Sequence, residues 1–290
     1  MVPPRAASSG FSGMVVTATQ KDYPDLVEFL TQSNLIHRHL DWFDTLEWLG
    51  EDVFLIEKRD QEIQALFCAA AESPAFAWIR TFSIRNLSAV EAPWQRLLSR
   101  AIEILKSKGV KGLASLALQD WFGSLLERSG FRTNQNIVQL EWQGAFPSEE
   151  KVNPPINIRP MEAADLPDVE KIDRLAFPVL WQNSLAALTR AFQQPGISTV
   201  AMSNQNIVGY QISPTADLSA HLARLAVHPA MQQQRIAFTL VYDLLKVVDR
   251  LGYAHLTVNT QSDNTPSLNL YKRFGFIQTP EEIPVYELRL

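Results

Sequence analysis

Three stretches of this chain carry residues that could do chemistry. The first is "VHPAMQQQRIAFTL", residues 227–240, where an apolar strand passes through Pro229 into Gln232, Gln233, Gln234 and Arg235 before Ile236 and Ala237 open a long amphipathic helix. A helix start presents unpaired backbone N–H groups and the positive end of the macrodipole, so such a turn is suited to phosphate oxygens. Turns that cradle phosphate usually contain glycine, and this one has none. The second stretch, "HLARLAVH", holds His221, whose imidazole titrates near neutral pH and could relay a proton. The third runs from Asn264 to Phe276, "NTPSLNLYKRFGF", and carries Tyr271, a phenol that could donate one.

Other titratable residues point less clearly to chemistry. His228 precedes Pro229 and is expected to face solvent, and His255 reads as a packed or edge strand residue. His37 and His39 stand two apart with no cysteine or third histidine near, which argues against a metal site. Cys68, the only cysteine, lies in the apolar run "ALFCAAA" and reads as a buried small residue.

The elements that position these groups alternate between strand and helix, which implies an α/β architecture built on a mixed sheet. In the C-terminal half the expected strands are "INIRP", "STVAMS", "NIVGYQI", "HLARLAVH", "AHLTVNT" and "VYELRL". The long helix repeats apolar residues at Ile236, Leu240, Val241, Leu244, Leu245, Val248 and Leu251, with Gly252 placed to end it. Asn264 is a suitable N-cap for the short helix, Pro266 fits its first turn, and Gly275 follows its end. Simple alternation along "HLARLAVH" sets Arg224 on the face opposite His221.

The chain also repeats itself. "KDYPDLVEFL" from Lys21 matches "ADLPDVEKI" from Ala164, and "LLERSGF" from Leu125 matches "LYKRFGF" from Leu270. Asp22 and Asp165 are 143 residues apart and Gly130 and Gly275 are 145 apart, consistent with one duplicated unit. Residues 1–13 read as a flexible leader, 14–146 as the first unit, the proline- and charge-rich 147–155 as a linker, and 156–290 as the second unit. The length of 290 residues suits two cores.

Composition narrows the function classes. A net charge of −5 argues against a broad basic footprint for nucleic acid, and no run reaches the roughly 18 apolar residues of a membrane helix. With one cysteine and no signal-peptide core, a cytoplasmic location is expected.

Taken together, the turn at 232–237 and the segment Asn264, Ser267, Leu270, Tyr271, Gly275, Phe276 resemble the GNAT acyl-CoA-dependent N-acetyltransferase superfamily. The family's turn reads Gln or Arg, two variable residues, Gly, one variable residue, then Gly or Ala; Gln232 and Ala237 fit, and Arg235 replaces the first glycine. The resemblance is detailed over 156–290 and extends to the first half only in outline. It implies two tandem GNAT-like domains, each a central mixed sheet flanked by helices. It further implies that acetyl-CoA is a co-substrate, without a metal, for transfer of an acetyl group to a primary amine of a small molecule or peptide. No nucleic-acid or membrane partner is implied.

Residue by residue, the resemblance implies that backbone amides of 232–237 bind the CoA pyrophosphate and that backbone groups of Leu225 and Val227 pair with the pantetheine arm. Asn264 and Ser267 would belong to the same cofactor site. Tyr271 would protonate the departing thiolate, or else pack its ring at the helix end. His221 stands where related enzymes place a general base, with a histidine at an exposed strand entrance as the alternative. Phe177, Trp181 and Asn183 would line the acceptor end, unless the two aromatics are core residues. The first unit would be non-catalytic, because Leu126 corresponds to Tyr271, Gln119 to Asn264, and "AVEAPW", with Glu91, to the phosphate turn. Alternatives within the resemblance are transfer of another acyl or aminoacyl group, as in other two-unit relatives, and a non-catalytic acyl-CoA sensor.

Overall fold

The computed structural model describes residues 13–71, 73–86, 90–144, 146 and 156–290. The leader up to residue 12, the linker 147–155 and Ala89 of the first unit's turn lie outside the described residues. Two compact units emerge: the first comprises 1–70, 78–109 and 290, the second 71–77 and 110–289. These units do not divide where the sequence duplication does, because the second takes in residues 110–144 as well as the C-terminal half.

Unit 1 is built from β1 (Met14–Thr17), α1 (Tyr23–Gln32), β2 (Leu35–Arg38), β3 (Phe54–Arg59), β4 (Glu62–Ala71), β5 (Phe76–Ile84) and α2 (Glu91–Ser107). The strands run in the order β1-β3-β4-β5, and β2 also pairs with β5. Its core forms where α1 sets Leu26 and Phe29 against Phe54, Ile56, Leu66 and Cys68. Cys68 is fully buried there, as its apolar run implies.

Unit 2 adds β6 (Gly112–Leu116), α3 (Asp120–Arg128), β7 (Arg132–Trp142), β8 (Asn157–Pro160), α4 (Leu166–Ala176), α5 (Leu185–Gln193), β9 (Gly196–Ser203), β10 (Asn206–Ala216), β11 (Ser219–Leu222), β12 (Arg224–Val227), α6 (Ile236–Leu251), β13 (His255–Gln261), α7 (Thr265–Arg273) and β14 (Phe276–Arg289). Its strand order is β6-β14-β7-β13-β11-β10-β9-β8, with β12 also on β10. The β11–β13 pair is parallel while its neighbours are antiparallel, so the sheet is mixed as expected. Helix α6 buries the predicted apolar stripe and ends at Gly252 in the left-handed region, φ 72°. Leu251, at the end of that stripe, is 58% exposed.

Two features depart from the sequence reading. The final strand starts at Phe276, nine residues ahead of "VYELRL", although it contains Pro280 and Pro284. A register shift between Gln278 and Glu282 brackets Pro280, so the residue without an N–H sits where the ladder is already interrupted. The expected strand "HLARLAVH" is also broken in two at Ala223. Ala220, Leu222, Leu225 and Val227 all pack toward α6, and the odd step from 222 to 225 means that the alternation slips by one residue there.

Candidate active site

That slip organises the site. β11 pairs with β13 from Ser219 to Leu222, whereas β12 pairs only with β10. The His228 N–H donates to the Val208 carbonyl at 2.8 Å, so Ala226 and Arg224 also direct their backbone groups to β10. Leu225 and Val227 therefore direct theirs to an edge that no strand covers among the described residues. One of those groups is engaged within the chain: the Val227 carbonyl accepts from Gln232 Nε2 at 3.2 Å, tying the turn to the strand.

Beyond β12, a short 3-10 helix (Pro229–Met231) leads into the turn. His228 is half-buried, and its Nδ1 accepts the Ala230 N–H at 3.2 Å. Gln233 and Arg235 both adopt left-handed backbone, φ 61° and 63°. Arg235 thus takes the conformation that the family's glycine provides without steric cost. Arg235→Gly should raise unfolding stability by about 1 kcal/mol, read from chemical denaturation. If Arg235 also supplies charge to nucleotide phosphates, the same variant will bind CoA less tightly; if it only fills a glycine position, binding will hold or improve.

The first intrahelical bond of α6 runs from the Thr239 N–H to the Arg235 carbonyl at 3.0 Å. The amides of Ile236, Ala237 and Phe238 precede it, no side chain caps the helix, and no acidic residue occupies its first turn. Gly209 allows α6 to approach this closely: a Cβ there would lie 2.9 Å from the Ala226 carbonyl oxygen and 3.3 Å from Ile236 and Leu240. The first half differs at the corresponding place. Val90, before α2, is right-handed at φ −63°, and Glu91 and Pro93 occupy the first turn, one bringing a carboxylate and the other lacking an N–H.

Tyr271 is buried on α7, 4% exposed, in the core shared by Leu222, Val258 and α6. Its ring lies 5.5 Å from Phe276, centroid to centroid, and its hydroxyl makes no hydrogen bond among the described residues. Burial pushes its pKa up, so the phenol is protonated through neutral pH. Asn264 accepts the Ser267 N–H at 3.3 Å and donates to Thr260 Oγ1 at 3.1 Å; its side chain is the predicted N-cap.

His221, on β11, is half-buried, and its Nδ1 meets Thr257 Oγ1 at 2.8 Å. Burial lowers its pKa, which keeps the imidazole neutral to below pH 6.5. His255 is neither packed nor on an edge strand: it is exposed at the start of β13, which lies between β7 and β11, and its Nδ1 is 2.8 Å from Glu141 Oε1. Among the described residues, no group of three His, Cys, Asp or Glu side chains could hold a metal ion.

Arg224 corrects the expectation from alternation. The slip at Ala223 returns it to the face of His221, where it reaches Asp173 of α4. Asp173 is fully buried and accepts from Arg224 Nε at 2.7 Å and Nη2 at 2.8 Å, from the Asn183 N–H at 2.9 Å, and from the Tyr210 hydroxyl. Arg224 Nη2 also donates to the Trp181 carbonyl at 2.6 Å, and its guanidinium lies 3.6 Å from the Phe177 ring centroid. Burial works against the Arg224 cation, but Tyr210 and Asp173 outweigh it, so its pKa lies above the ordinary value. One ion pair thus fixes all three proposed acceptor-side residues: Phe177 by its ring, Trp181 and Asn183 by their backbones.

Alternation does not reveal this pair, but the duplication carries a signal for it. Arg80 lies 144 residues before Arg224, within the duplication offset, and is also buried, paired with Asp41 at 3.0 Å and set 4.7 Å from the Trp48 ring centroid. The same offset puts Ala77 at the position of His221.

Known proteins resemble this chain in sequence over part of its length and in fold over most of it. The acetyltransferase (GNAT) family model matches residues 166–276. The GCN5-related N-acetyltransferase from Sphaerobacter thermophilus superposes with a TM-score of 0.59 at 14% identity, covering 95% of each chain. A tandem GNAT protein from the clavulanic acid biosynthesis pathway gives a TM-score of 0.62 at 11% identity, covering 95% of this chain and 98% of that one. An 80-residue stretch is 31% identical to the spore coat polysaccharide biosynthesis protein SpsD of Bacillus subtilis (strain 168), spanning 28% of each chain. Residues 166–276 are therefore a domain of the acetyltransferase (GNAT) family, in a chain that shares the fold of a tandem GNAT protein.

Proposed function

We propose that the C-terminal half transfers an acetyl group from acetyl-CoA to a primary amine of a small molecule or peptide. The carrying observation is the conjunction, in unit 2, of an uncovered β12 edge with an uncapped α6 start. The first offers Leu225 and Val227 backbone groups to the pantetheine arm, and the second offers amides to the pyrophosphate. The co-substrate supplies the thioester carbonyl that the neutral amine attacks and the thiolate that leaves.

The chain supplies the proton transfers. His221, kept neutral by burial and oriented by Thr257, takes a proton from the incoming ammonium directly or through water. Tyr271 returns one to the sulfur from a hydroxyl with no partner among the described residues. Asn264 serves this site through the cap that sets the direction of α7, and Ser267 through the amide that cap receives. Phe177, Trp181 and Asn183 stand on the acceptor side, held by the Asp173–Arg224 pair.

Calorimetric titration of the full chain with acetyl-CoA should give one equivalent per chain, because Glu91, Pro93 and Leu126 replace what a second site would need. Two equivalents would refute the asymmetry, and no heat with any CoA species would remove the reading. Ile236→Pro deletes one amide donor at a position where proline suits a helix start, and should weaken binding by about 1.5–3 kcal/mol. Ile236→Ala, which loses the packing but keeps the donor, should bind nearly as the parent does. Equal binding by the proline variant would make the turn an ordinary helix start.

A further inference from the structure

Unit 1 has lost the features of a CoA turn but holds a cavity of about 530 Å³, within the range of small-ligand sites. Its wall includes the aromatic rings of Tyr23, Phe43 and Trp48, with Phe43 and Trp48 4.7 Å apart, centroid to centroid. The buried Asp41–Arg80 pair also lines it. Asp41 Oδ2 accepts from Arg80 Nη1 at 3.0 Å and from Trp48 Nε1 at 3.2 Å, while Oδ1 accepts the N–H groups of Trp42 and Phe43 at 2.7 and 3.3 Å. The carboxylate is thereby committed to holding the wall, and it balances the Arg80 charge.

The remaining charges decide the ligand. His39 also lines the cavity, and burial together with the nearby Arg80 and His37 holds its pKa well below the ordinary value, so it is neutral. Two exposed carboxylates, Asp44 and Glu47, which also accept each other's backbone N–H groups in a reciprocal cap, Glu47 Oε2 taking the Asp44 N–H at 2.8 Å, then stand against one exposed cation, Arg38. Such a lining disfavours phosphates and carboxylates. Aromatic faces beside carboxylates attract an organic cation, whose charge the ring quadrupole and the acids both stabilise.

We infer that the unit 1 cavity is a non-catalytic binding site for a small organic ammonium ion, its apolar part against Tyr23, Phe43 and Trp48 and its charge toward Asp44 and Glu47. The inference is independent of acetyl transfer, because none of these residues belongs to the proposed transferase site.

The test is a titration of the ¹⁵N-labelled full chain with 2-phenylethylamine, 2-phenylethanol and 3-phenylpropionate, following the Trp48 indole N–H signal assigned with Trp48→Phe. The amine should shift this signal saturably, the alcohol more weakly, and the carboxylate least. Asp44→Asn with Glu47→Gln keeps groups that can accept hydrogen bonds and should raise the Kd for the amine about three- to thirtyfold, with an unchanged Tm. Arg38→Gln should lower that Kd about two- to fivefold by removing a like charge. An unmoved Trp48 signal, tighter binding of 3-phenylpropionate, or unchanged amine affinity in the double variant would each overturn the proposal. So would a Trp48 shift with acetyl-CoA that the amine fails to reproduce. Failure of CoA binding at the α6 turn would leave these outcomes untouched, which separates the two readings.

Discussion

Tyr271→Phe should lower kcat by about a hundred- to ten-thousandfold while leaving acetyl-CoA affinity and unfolding stability close to those of the parent chain. The magnitude is that of a lost general acid. The hydroxyl has no hydrogen-bond partner among the described residues, so its removal strands no other group, and phenylalanine keeps the ring against Phe276. Steady-state kinetics alongside calorimetry checks both halves of the expectation. The pH profile adds a control. Because burial lowers the His221 pKa, the acid limb of kcat/KM should lie below pH 6.5, and it should remain in the Tyr271 variant and disappear in His221→Gln. Unchanged turnover in Tyr271→Phe would make the residue a packing group.

Local structure is largely legible in the sequence. The α6 stripe as far as Val248, its glycine terminus and the Asn264 cap each rest on interactions within a few residues, and each appears as read. What alternation could not foresee was Ala223. A bulge depends on how two strands diverge, and nothing in "HLARLAVH" marks where β11 follows β13 and where β12 leaves it. The consequence is specific: alternation alone puts Arg224 on the wrong face and hides the interaction that holds Phe177, Trp181 and Asn183. The long β14 was hidden for a related reason, since Pro280 and Pro284 argue against a strand unless a register shift accommodates them. The unit 1 cavity is assembled from α1, the segment after β2, and β5, so neither its aromatic wall nor its charge balance shows in any one stretch.

Removing the Asp173 carboxylate should have the largest effect on stability. Asp173→Ala leaves the buried Arg224 cation without its counter-charge and removes the acceptor of the Tyr210 hydroxyl and the Asn183 amide, a loss of about 3–5 kcal/mol. That is a large fraction of the roughly 5–15 kcal/mol that holds a typical domain together. The double variant Asp173→Leu/Arg224→Met should be more stable than either single change, because no charge is then left buried and unpaired. Function should respond differently. Even where the double variant recovers stability, Phe177 loses its guanidinium partner and the Trp181 carbonyl its donor, so the segment 177–183 is no longer fixed to β12. KM for the amine should therefore rise in the double variant while its acetyl-CoA affinity stays near that of the parent. The cofactor's proposed contacts lie on the outward backbone of Leu225 and Val227 and in the α6 turn, with which the side chains of the pair make no hydrogen bond among the described residues. Denaturation of the four chains of this cycle, with KM measured in parent and double variant, separates the two roles. A double variant that regains both stability and acceptor KM would reduce the pair to a core interaction with no part in positioning the acceptor.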